Sequence, residues 1–142
     1  MKIKHKYSIL LLVALLLLFA GCSSTKKAAT LPPISQEAID TATQEIKDNP
    51  EVREANIEVN NDEIYLSIIV GAGTEKEKAQ DLGENYARLL ATYAAEGQLK
   101  PPAGNSLGDL YKYYTLEIGV GTGPYDFIAQ GVKLTDRDTI NW

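Results

Sequence analysis

Side chains able to do covalent or acid–base chemistry are few in this 142-residue sequence. There is one Cys, Cys22, and one His, His5. Both precede the first stretch with the patterning of a folded domain. Ser-His-Asp and Cys-His catalysis need an imidazole beside the nucleophile. Common zinc sites need Cys or His ligands. A chain that starts at Cys22 has neither option and can form no internal disulfide. Four further patterns touch on chemistry. Gly71-Ala72-Gly73 follows a strand pattern and opens a helix pattern, the setting of a dinucleotide-binding turn. The third Gly of that fingerprint falls on Lys76, and Glu75 and Glu77 put negative charge where a phosphate would sit. It is therefore read as a plain strand-to-helix turn. Asp136-Arg137-Asp138 has the D-x-D look of a calcium loop, without its Gly at position six or its Glu at position twelve. It is read as a solvated acidic segment. Ser23-x-x-Lys26 and Ser24-x-x-Lys27 match an S-x-x-K pattern by chance, with no scaffold to hold them. Glu117 could join another acid in a carboxylate pair, but no spacing brings two acids together in a cleft.

A fifth pattern is a set of tyrosines. Tyr111, Tyr113, Tyr114 and Tyr125 cluster around one predicted strand. Tyr111 and Tyr113 are expected on its polar face and Tyr125 in the next turn. Tyrosine offers large contact area at low entropy cost. Tyr111, Tyr113 and Tyr125 are thus the candidate contact residues, with the Gln98–Asp109 loop beside them. No catalytic residue, metal site or cofactor is expected.

The leader sets the address. Lys2, Lys4, His5 and Lys6 form a positive region, and Ile9 to Ala20 is an apolar run of 12 residues. A permanent span takes about 20 residues, so residues 1–21 read as a signal peptide. Phe19-Ala20-Gly21-Cys22 resembles the lipobox of bacterial lipoproteins, with Phe19 where that family most often has Leu. The resemblance implies acylation of the Cys22 thiol, cleavage before it, and a lipid anchor on the extracytoplasmic face of a membrane. The remaining chain carries 11 basic and 19 acidic residues, net −8. That balance does not suit a phosphate backbone, which is bound by clustered Lys and Arg. Nucleic acid is not an expected partner. A membrane contact through the lipid is expected, together with a protein or cell-envelope partner.

The elements that must position these residues follow. Residues 22–33 are a small, polar, Pro-ended tether, reaching roughly 20 Å as a flexible coil. Residues 34–142 form one domain. Ser35 caps a helix to about Asp48, with Ile34 and Ile39 as a staple and Ile39, Ala42 and Ile46 on its apolar face. Asn49-Pro50 ends it. Ala55, Ile57 and Val59, then Ile64, Leu66, Ile68 and Val70, alternate with polar residues around Asn60-Asn61-Asp62, the pattern of a hairpin. Thr74 and Glu77 form a capping box for a second helix, with Ala79, Leu82, Tyr86, Leu89, Leu90 and Tyr93 on one face and Gly97 as its C-terminal cap. Gly83 within it predicts close packing on the sheet. A third strand carries Tyr114, Leu116, Ile118 and Val120. A fourth runs from Phe127 to Leu134, with a bulge expected near Gly131, where the apolar phase shifts from Phe127 and Ala129 to Val132 and Leu134.

The order α-β-β-α-β-β and the one-sided strands predict an α+β two-layer sandwich. Its sheet is four-stranded and mostly antiparallel, with both helices on one face. Ile34 to Leu90 also resembles the BON domain of bacterial envelope proteins. The carrying residues are the helix ending at Asn49, then Ile57-Glu58-Val59, Asn61, Ile64, Leu66 and the next amphipathic helix. Ser67-Ile68 stands where the family has a Gly, and the Gln98–Asp109 loop replaces its short path into the last strand. The resemblance implies an envelope-associated binding module. The expected function is therefore non-enzymatic: an anchored adaptor. A small-ligand carrier is the first alternative and a carboxylate-based hydrolase the second.

Overall fold

A computed structural model of the chain describes residues 30–142. Residues 1–21, which the sequence reads as a signal peptide, Cys22 and most of the expected 22–33 tether lie outside the described residues. Helix α1 (Gln36–Lys47) starts where a cap predicts it: the Ser35 hydroxyl accepts from the Ala38 amide at 3.2 Å. Glu37 in the first turn and Lys47 in the last suit the helix dipole. Strands β1 (Val52–Asn60) and β2 (Glu63–Val70) form the expected antiparallel hairpin, with Asn61 at φ 55 in the turn. Asn is among the few side chains that accept this conformation readily.

Helix α2 (Lys76–Ala94) packs on β2, β3 and β4, while α1 packs on α2 and β1. The predicted capping box does not form. Glu75 is the N-cap and makes no side-chain cap bond, and the Thr74 hydroxyl donates instead to the Gly71 carbonyl at 2.9 Å. The Thr side chain closes the strand-exit turn and so is not available to the helix. At the other end α2 stops at Ala94, with Ala95 as its cap and both Glu96 and Gly97 at positive φ. A 3-10 turn, Leu110–Lys112, precedes strands β3 (Thr115–Gly123) and β4 (Asp126–Lys133).

The sheet order is β1-β2-β3-β4, with β1–β2 and β3–β4 antiparallel and β2–β3 parallel. The parallel pair follows from the connection: α2 carries the chain back along the sheet, so β3 starts from the same end as β2. The fold is thus the α+β arrangement that the element order predicts, with a mixed sheet.

Register assigns each side chain a face. Ile64, Leu66 and Ile68 stand beside Leu116, Ile118 and Val120, and these beside Lys133, Gly131 and Ala129. The apolar members of these rows are buried and meet Ala79, Leu82, Tyr86, Leu90 and Ala91 of α2 in one core. Gly83 lies where the helix comes nearest. A Cβ there would stand 2.7 Å from Trp142 Cη2 and 2.8 Å from Ile118 Cγ2.

The bulge in β4 is not at Gly131. Pairing runs unbroken from Ala129 to Lys133, and the register shifts between Ala129 and Phe127. That shift turns Phe127 to the outer face while Ala129 stays inside. Val132 and Leu134, predicted as the buried phase, are 40% and 48% exposed. Gly131 answers to a different constraint. A Cβ at this position would stand 2.7 Å from both Ile140 Cγ2 and Trp142 Cε3. The 135–142 segment folds back over the inner side of β4, and Asn141 exchanges two backbone bonds with Val132 at 2.8 and 2.9 Å.

Candidate functional site

Both helices lie on one side of the sheet, and among the described residues no element covers the other. Its surface is read from the register. One row is Glu58, Tyr65, Glu117 and Val132. The next is Asn56, Ser67, Gly119 and Gln130. The third is Glu54, Ile69, Gly121 and Phe127. Gly119 at the centre makes the face concave, because the Phe127 ring lies across it: a Cβ at 119 would stand 2.8 Å from Phe127 Cε1. The result is a shallow groove of about 230 Å³ bounded by Tyr65, Ser67, Glu117, Phe127, Gln130 and Val132.

The charges in these rows have one sign, Glu54, Glu58 and Glu117, with Glu63 on the same side of β2. The exposed Arg53, at the register shift of β1, stands beside Glu54 with its guanidinium 3.6 Å from where a Gly71 Cβ would be. The Tyr65 hydroxyl donates to Glu63 at 2.5 Å. That bond, with partial burial and the nearby charges of Glu63, Glu117 and Glu58, pushes the phenol up to about 12. Tyr65 therefore stays neutral as a donor across the ordinary pH range. Glu58 and Glu117 flank it on neighbouring strands, about 10 Å apart at two strand spacings. Both are exposed on an open face and not in a cleft.

The tyrosines singled out in the sequence do not form one patch. Tyr111 lies in the 3-10 turn and is fully buried, its hydroxyl donating to the Ala87 carbonyl at 2.7 Å. Burial raises its phenol far above the usual range. It holds the turn to α2 and has no surface to offer a partner. Tyr113 is 38% exposed, before the start of β3. Tyr125 is 96% exposed, in the turn after the end of β3. A nine-residue strand separates them, so roughly 30 Å lies between these two ends. Tyr114 is buried, donating to the Pro32 carbonyl at 2.8 Å. Tyr65 and Phe127 were missed as a pair because only the parallel register of β2 and β3, with the β4 bulge, puts them on one face.

The remaining sequence motifs find ordinary places. Gly71-Ala72-Gly73 lines a cleft of about 550 Å³ with Arg53, Lys78, Glu51 and Glu75. Its charges are mixed, and Lys78 lies 4.0 Å from Glu51. Asp136 and Asp138 are exposed, and Arg137 stands 3.9 Å from Asp136. No cluster of His, Cys, Asp and Glu able to hold a metal ion occurs among the described residues. The 98–109 loop is tied down. Leu107 is buried, the Asp109 amide donates to the Lys100 carbonyl at 2.9 Å, and Arg88 donates to the Ser106 carbonyl at 3.1 Å.

Comparison of the chain with protein-family models, curated proteins and solved structures returned no match.

Proposed function

We propose that this chain is a lipid-anchored, extracytoplasmic adaptor that does no chemistry and docks a protein of the cell envelope on the open face of its sheet. The carrying observation is that face: Tyr65, Ile69, Phe127 and Val132 in an acidic frame of Glu54, Glu58, Glu63 and Glu117. Aromatic side chains surrounded by polar groups are typical of interface centres. Charge complementarity makes the occupant a basic segment. Its Lys or Arg side chains would lie over Tyr65 and Phe127 and pair with the glutamates. The lipobox-like Phe19-Ala20-Gly21-Cys22 supports the anchor, and the short tether would hold this face near the membrane.

Two experiments test the reading. Cys22→Ala should move the protein from the membrane to the soluble fraction, and continued membrane association would remove the anchor. A photo-crosslinking residue at Ser67 or Gln130 should capture an envelope protein through a Lys- or Arg-rich segment, with yield falling as salt rises. The same group at Gln44 or Asp81, on the helix layer, should not. Capture only from the helix layer would place the interface elsewhere.

A further inference from the structure

We propose a second binding site, independent of the sheet face: a recess at the Lys133 end of the sheet that takes a small zwitterion, carboxylate end toward Lys133. Lys133 stands beside Leu116 on the inner side of β4 and is 3% exposed. Its ammonium donates to the Tyr111 carbonyl at 2.8 Å and the Leu134 carbonyl at 3.2 Å. An ammonium has three N–H donors. Among the described residues the third has no acceptor, and none of their ion pairs includes Lys133. Burial makes the charge costly, Asp138 and Asp136 favour it from a distance, and Lys112 opposes it.

A lysine that only filled core space would be replaced at little cost by an apolar side chain. A lysine at the wall of a cavity has another use. Lys133 lines a recess of about 310 Å³, with Asn105, Ser106, Lys112, Asp138 and Thr139 around it. This volume is at the small end of ligand pockets, the size for an amino acid or a short peptide terminus. Two lysines line the recess. Lys112 already holds Asp109 at 2.7 Å, which leaves Lys133 as the cation without a carboxylate. Among the described residues Asp138 is the only carboxylate lining the recess. A carboxylate supplied by the ligand would complete Lys133, and a ligand ammonium would complete Asp138. The hydroxyls of Ser106 and Thr139 and the amide of Asn105 can donate or accept between them.

The test uses the full chain in detergent micelles, titrated with glycine, sodium acetate and inorganic phosphate at constant ionic strength set with sodium chloride. Heat of binding and the fluorescence of Trp142, the sole tryptophan, are read together. Thr139 and Asp138, in the wall of the recess, stand three and four residues before Trp142 in the chain (142 − 139 and 142 − 138). Glycine should bind saturably and more tightly than acetate, with phosphate weaker than glycine. Lys133→Met should weaken glycine and acetate by about ten-fold or more, the usual weight of a charge-assisted bond. Asp138→Asn should bring glycine down to the level of acetate and leave acetate no weaker. Asp138 is exposed, so this variant keeps the test decisive if Lys133→Met does not fold. Absence of saturable binding by glycine and acetate, or glycine binding unchanged by Asp138→Asn, would overturn the proposal. Binding of glycine here would leave the sheet-face reading unaffected, and capture of a basic partner there would leave this one unaffected.

Discussion

Gly83→Ala pits helix propensity against packing at one position. In an exposed helix interior this change stabilises by about 1 kcal/mol. Here the new Cβ meets Trp142 Cη2 at 2.7 Å, Ile118 Cγ2 at 2.8 Å and Val120 Cγ2 at 3.4 Å. Ordinary contact begins near 3.4 Å, so the helix or its neighbours must yield by 0.6–0.7 Å, the difference between 3.4 and the two short distances. Ile118 cannot swing aside, because it is β-branched and held in a central strand. Lifting α2 instead opens a gap along its face. A gap of 0.5–1 Å forfeits roughly a quarter to a half of each dispersion contact. Overpacking of this kind costs about 1–3 kcal/mol, against the propensity gain of about 1 kcal/mol, so the expected net loss is about 0–2 kcal/mol. Urea unfolding followed by far-UV circular dichroism would show it as a lower midpoint at unchanged slope. In a Trp142→Ala background one of the two short contacts is gone, and the loss should shrink by about 0.5–1 kcal/mol. A Gly83→Ala protein more stable than the parent would refute the close packing of helix on sheet.

Three further outcomes are expected. Tyr86 and Tyr111 are held neutral by burial, Tyr86 with its phenol raised to about 12 and Tyr111 raised further. Their contribution is fully present below pH ~10, where the unfolded phenol titrates, and is lost as pH rises through the folded values. Denaturant midpoints should therefore fall steeply between about pH 10 and 12, and a flat profile there would contradict the burial of both rings. Lys133 acts in the opposite sense just below its usual value, since burial lowers it; stability from this group rises with pH in that window, and Lys133→Met should remove the rise. Tyr111→Phe should cost about 1 kcal/mol, a hydrogen bond lost without a cavity, and leave partner capture intact; loss of capture at unchanged stability would restore Tyr111 as a contact. Gly119→Ala should displace the Phe127 ring and abolish crosslinking from Ser67, while thermal unfolding shifts by only a few degrees.

The readable parts of this fold are those that short-range physics decides. Ser35 accepts from Ala38 because a hydroxyl before an amphipathic run satisfies a free amide. Ile64, Leu66, Ile68 and Val70 are all buried because alternation admits one face only. What stayed hidden needed a partner distant in sequence. Thr74 closes the strand-exit turn onto the Gly71 carbonyl, and the helix that follows starts one residue later, at a Glu75 cap without a side-chain bond. Tyr111 followed strand chemistry on paper, yet the 3-10 turn points it at Ala87, 24 residues away. The groove was invisible because Tyr65 and Phe127 meet only through two pairings and one bulge.

The β4 strand shows how an apparent irregularity can belong to another segment. Gly131 breaks the apolar phase, and a bulge at that position is the local explanation. The register rejects it, and Ile140 and the Trp142 ring packed over Gly131 supply the cause. The inner side of β4 presents Ala129, Gly131 and Lys133, two small residues and one charged one. These bury little apolar area, so this edge of the sheet cannot complete a core by itself. Ile140 and Trp142 supply the missing area from outside the sheet. Asn141 also satisfies backbone groups of Val132 that an open edge would leave to solvent or to another chain. The same fold-back brings Asp138 and Thr139 over Lys133 and so builds the wall of the recess. Small residues on β4, a tryptophan over them and a lysine at the end of the row are therefore one arrangement. Removing the Trp142 ring should loosen the edge and the recess together, and a variant that lost the one while keeping the other would separate them.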